Sequence, residues 1–104
     1  MITTQSSPPP GPTLKPIWAY AYQLSPPQPA DRLCTVQPLL DDEHADAQED
    51  GRTWAGRVVV EERITHILVV SDSPEQDLAG NRKLESELKQ LNAKFSISAP
   101  MELP

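Results

Sequence analysis

The chain has 104 residues, 38% of them apolar, which suits one domain with a modest core. Nine basic against fifteen acidic residues leave a net charge of -6, and that balance excludes recognition of a phosphate backbone through a positive stripe. No run approaches the ~18 apolar residues of a membrane span, and the single cysteine, Cys34, rules out an intrachain disulfide and a multi-cysteine zinc site.

Residues 1–7 carry neither a basic n-region nor an apolar h-region, so the expected compartment is the cytoplasm. Eight of the twelve prolines fall within the first 29 residues. Residues 1–16 are expected to form a disordered, Pro-rich tail, because a stretch with so few aliphatic side chains cannot offset ~1–2 kcal/mol of backbone entropy per residue. Pro9 and Pro12 form a minimal PxxP with Lys15 nearby, the pattern through which such a tail engages a protein partner. A flexible leader is the plainer reading.

The folded domain is expected over residues 17–104. Residues 17–24 are β-prone, and period two sets Trp18, Tyr20, Tyr22 and Leu24 on one face against Ile17, Ala19 and Ala21 on the other. Neither face is polar, which predicts a central strand, ended by Pro26 and Pro27. Leu33, Val36, Leu40, His44 and Ala47 then recur at spacings of three and four. They predict a helix over 36–50, with Thr35 as N-cap, Pro38 tolerated in the first turn and Gly51 as the stop. Residues 57–61 and 64–70 read as two strands joined by a tight turn at Glu62 and Arg63. Ser73 opens a second helix as its N-cap, with Pro74 at N1 and Gln76 at N3. Its apolar stripe is Leu84, Leu88 and Leu91, and it ends near Asn92. Residues 94–99 alternate apolar and polar as an edge strand does, closed by Pro100.

The order β-α-β-β-α-β predicts a single α+β domain of the ferredoxin-like, split βαβ kind. Right-handed crossovers set strands one and three side by side in the middle, with two and four outside. The two most apolar runs are strands one and three, as central positions require.

In such a sheet both helices cover one face and leave the other open. With small Ala19 and Ala21 beneath the helices, Trp18, Tyr20 and Tyr22 line the open face, where an apolar patch calls for a ligand or an interface. A homodimer is the expected occupant; a small-molecule pocket and simple core filling are the alternatives. Base stacking on these aromatics is set aside, because strand three has none and the chain is acidic.

His66 is the one candidate catalytic group, as a general base within an apolar run, although a hydrogen-bonded neutral imidazole is the plainer reading. His44 with Asp41, Asp42 and Glu43 lacks a third ligand on its helix face, so no metal is expected. Asp72, Glu75 and Asp77 repel phosphate from the helix start, which leaves Ser73 as a helix cap. Cys34 has no neighbour to lower its pKa and is expected to be a small buried hydrophobe. No GxSxG, GxGxxG, P-loop or HExxH occurs, and no cofactor is expected. The composite reading is a non-catalytic module that self-associates through its open sheet and binds a partner or small ligand. The alternative is a small dimeric α/β-barrel-type enzyme with His66 in a pocket between helices and sheet.

Overall fold

The computed structural model describes residues 16–104. The expected tail and its PxxP lie outside the described residues, Pro16 excepted. Seven elements follow in order: β1 (Trp18–Gln28), α1 (Val36–Glu49), β2 (Trp54–Val60), β3 (Ile64–Ser71), α2 (Leu78–Gln90), β4 (Phe95–Ile97) and β5 (Met101–Glu102). Short 3-10 turns at Ala30–Leu33 and Pro74–Gln76 precede the two helices.

The strands form one antiparallel sheet in the order β2-β3-β1-β4, with β5 also on β1. β3 occupies one side of β1 from Trp18 to Gln23. β4 and β5 share the other side, against Tyr22 to Leu24 and Trp18 to Ala19. Together they make one interrupted edge. At the interruption the Ala21 N–H donates to the Ser98 hydroxyl at 2.8 Å and Ser98 N–H donates to Ala21 O at 2.9 Å, so a side chain replaces one rung of the ladder.

β1 runs four residues beyond its expected end, through Pro26 and Pro27 to Gln28. Those prolines sit where donors are not needed. The β4 ladder stops at Leu24, and the β3 register breaks between Gln23 and Gln28. β2 begins at Trp54, three residues before the expected strand. Gly56 masks that start in the sequence, and packing explains it: a Cβ there would lie 2.9 Å from Leu40 Cδ2 on α1.

Both helices end in the same way. Gly51 at φ 71° and Asn92 at φ 57° are left-handed. Arg52 N–H reaches back to Ala47 O at 2.9 Å, and Ala93 N–H to Leu88 O at 2.9 Å, which closes each last turn as a Schellman motif. Thr35 flanks α1 without capping it. Its hydroxyl instead donates to Glu87 on α2 at 2.7 Å and ties the two helices together.

The core lies between sheet and helices. Val36, Leu40 and Ala47 of α1 and Leu84 and Leu88 of α2 pack on Tyr20, Tyr22, Leu24, Trp54, Ile64, Ile67 and Val69. The side chain of Leu33, expected on the α1 face, is outside the described set. The outer edge of the sheet is β2, and α1 screens it. The Gln37 carboxamide accepts from Val58 N–H at 3.0 Å and donates to Gly56 O at 3.3 Å. Seven residues on, His44 Nδ1 lies 2.9 Å from Trp54 O, which can only accept, so Nδ1 carries the hydrogen.

Candidate functional site

The aromatic stripe lies on the other face from the one expected. Tyr20 is 5% exposed and Tyr22 fully buried, both under the helices, and half-buried Trp18 shares their side of β1. The physical reason is on α2. Asp77, Asn81 and Glu85 recur every four residues, so they form one polar stripe along the helix beside its leucines. Tyr20 and Tyr22 are two apart on β1 and meet that stripe with their hydroxyls. Tyr20 donates to Asp77 at 2.7 Å, and Tyr22 to Glu85 at 2.8 Å. Each phenol then buries its ring and keeps a partner, whereas alanines beneath the helices would bury little. The spacing of 77, 81 and 85 against 20 and 22 is the sequence signal for this.

The network around Asp77 is closed. Trp54 Nε1 donates to Asn81 Oδ1 at 3.2 Å, Asn81 Nδ2 to the Tyr20 hydroxyl at 2.9 Å, and Tyr20 to Asp77 Oδ2. Ser71 Oγ donates to Asp77 Oδ1 at 3.0 Å and accepts from Ser73 N–H at 2.9 Å. Arg52 stands 4.0 Å from the same carboxylate, whose side chain is 1% exposed. Burial and the bonds to Asp77 and Glu85 raise the Tyr20 and Tyr22 phenols far above their usual range. They stay neutral donors. A depression of about 180 Å³ between Pro74 and Glu85 touches this network, yet its carboxylates already hold the two phenols. Paired groups of this kind fix a packing arrangement.

Ser73 is corrected as well. It precedes the 3-10 turn, makes no side-chain cap, and gives its hydroxyl to Asp72 Oδ1 at 2.9 Å. Asp77 holds the N-cap position of α2, with its carboxylate spent on Tyr20 and Ser71. Cys34 is exposed rather than buried. Between the helices a 290 Å³ cleft gathers Glu43, Asp46, Glu49 and Asp50 around Arg52 and Lys83. Lys83 Nζ is 3.0 Å from buried Glu43 and 4.0 Å from Asp46, and these carboxylates raise its pKa. Among the described residues no three histidine, cysteine or carboxylate side chains are grouped to hold a metal. No helix among them is long and apolar enough to cross a membrane.

His66 faces away from the helices. Its cross-strand neighbours are Gln23 and Val59, and its Nδ1 is 2.9 Å from the Thr65 hydroxyl. The expected pocket between helices and sheet therefore does not contain it. What His66 shares is the open face, which register orders into three rows. The first is Met101, Ala19, Val70 and Ala55; the second has Ala21, Leu68 and Arg57, with Ser98 beside Ala21; the third is Ser96, Gln23, His66 and Val59. The first row is wholly apolar, with Met101 70% exposed. No position of the three rows is a carboxylate, in a chain with fifteen.

Comparison of the chain with protein-family models, with curated proteins and with solved structures finds no match.

Proposed function

We propose that the chain is a non-catalytic interaction module on a ferredoxin-like, split βαβ scaffold, and that it self-associates through the open face of its sheet. The adjacency of β1 and β3, with β2 and β4 outside them, supports the scaffold. The observation that carries the function is the open face, whose three rows hold no carboxylate. Two copies at net -6 repel, and among the described residues the face of Ala19, Ala21, Leu68 and Val70 offers apolar surface whose rows hold no carboxylate, with Asp41 at its rim beside Ala55 and Arg57. Edge pairing through β2 is screened by Gln37 and His44, which favours the face. Four strands at ~4.8 Å spacing and five residues at ~3.3 Å give roughly 300 Å² per copy. That is below the ~800 Å² of a stable interface, so the dimer is weak. Nucleic acid and membrane are not part of this reading, and the aromatics that could stack bases lie inside. A cytoplasmic setting suits an exposed free thiol.

The test is Leu68→Glu in the middle row, examined by sedimentation equilibrium. Wild-type protein is expected to dimerise reversibly toward high micromolar concentration, and the variant to stay folded and monomeric. Wild type that remains monomeric throughout rejects the proposal.

A further inference from the structure

The sheet has two borders, and they are treated differently. On β2 the Gln37 carboxamide and the His44 ring occupy outward-facing backbone groups. The other border is β4, and its pairing with β1 fixes which of its groups are used. Ser25 N–H donates to Lys94 O at 3.1 Å and Ser98 N–H to Ala21 O at 2.9 Å, with Ser96 opposite Gln23 between them. In an antiparallel ladder the alternate residues turn their N–H and C=O groups the other way. Phe95 and Ile97 therefore present theirs outward, and no strand among the described residues pairs with that side.

The side chains along this border are apolar on the helix side. Phe95 and Ile97 lie across from Leu24 and Tyr22, and Ile97 is 51% exposed. The Phe95 and Tyr22 ring centroids are 5.3 Å apart. At the start of β4 a depression of about 510 Å³ is lined by Lys89, Asn92, Ala93, Lys94 and Phe95. Among the described residues neither lysine has a carboxylate within ion-pair distance, in a chain of net charge -6. Glu85, one turn before Lys89, accepts from the Tyr22 hydroxyl instead.

We infer that this border takes an extended acidic peptide, added to the sheet as a strand beside β4. The peptide backbone pairs with Phe95 and Ile97, an apolar side chain enters the depression, and carboxylates meet Lys89 and Lys94. Charge selects this occupant over a second copy of the chain, because another β4 brings the same two lysines to the contact. β4 is three residues long and Pro100 follows it, so the added strand is short and weakly held. The inference does not rest on the proposed dimer, which uses the face of the sheet and not its edge.

The probes are two end-blocked peptides, Ser-Glu-Val-Thr-Val-Glu-Ser and the same sequence with lysine at each glutamate. Titration of isotope-labelled protein, followed through its backbone amides by NMR, reads affinity and location together. The acidic peptide should shift the Phe95 and Ile97 amides and bind at least about fivefold more tightly than the basic one. Methylating its three central backbone nitrogens should weaken it at least about fivefold. The double variant Lys89→Glu, Lys94→Glu, folded by circular dichroism, should bind it at least about tenfold more weakly. Absence of binding at millimolar peptide, equal binding of the two charges, or binding indifferent to methylation overturns the inference. Ile97→Pro supplies a separate check, since that N–H points away from β1 and its loss spares the ladder. Self-association that survives Leu68→Glu but is lost in a folded Ile97→Pro variant puts a second copy on this border and also overturns the inference.

Discussion

The hydroxyl of Tyr20 and the carboxylate of Asp77, 57 positions apart in the chain, meet at 2.7 Å inside the domain. This contact locks a central strand to the start of α2. It also aligns the donors that follow, because a phenol that gives its proton to Asp77 must accept from Asn81.

Tyr20→Phe should therefore cost more than its mate on the same strand. Removing the hydroxyl leaves a buried carboxylate oxygen and an amide N–H short of a partner, a loss of about 1–3 kcal/mol. Tyr22→Phe frees only Glu85, which is half-exposed and can bind water, so its cost should stay below about 1 kcal/mol. Urea denaturation of the two variants decides the order.

Alkali should unfold the domain through the same two residues. Their folded-state pKa values are raised, first by burial and then by the bonds to Asp77 and Glu85. An unfolded phenol ionises near ~10. Below that value the contribution is fully present. As pH rises past it the unfolded chain loses protons that the folded chain keeps, and stability falls. Tyr20 and Tyr22 are the only tyrosines, so the phenolate absorbance reports them alone. It should appear together with loss of helical dichroism; phenolate formed near pH ~10 in a still-helical protein contradicts the prediction.

The two serines before α2 should part company. Ser71 is fully buried and bridges Asp77 to the Ser73 N–H, so Ser71→Ala is expected to cost about 1–2 kcal/mol. Ser73 bonds only the neighbouring Asp72 through its hydroxyl, and Ser73→Ala should stay within about 0.5 kcal/mol. Thermal melts of both variants test this reversal of the cap that the sequence suggests.

The difference between these serines shows where sequence reading reaches its limit. The apolar run of β3, the leucines of α2 and the stop at Gly51 are visible because each is a local pattern with one structural solution. Period two likewise groups Trp18, Tyr20 and Tyr22 correctly. It cannot say which side of the sheet receives the helices, since that depends on a stripe of polar residues sixty positions away. Gly56 and Pro26 mislead for a related reason. Each is unfavourable in an isolated strand and acceptable here because α1 packs close at one and the ladder is broken at the other. His66 is legible as unusual, but the row it shares with Ser96, Gln23 and Val59 exists only after the strands are in register.

The Gln37 carboxamide on β2 has a consequence for how this protein fails. Its two bonds occupy groups that a further strand would need, and they persist only while the first turn of α1 is formed. The intact fold cannot recruit strands at that part of the border. A fluctuation that frays the start of α1, with the rest of the sheet untouched, uncovers it. Fibrous or amorphous growth would then begin from a nearly native species, at a rate set by helix opening rather than by global unfolding.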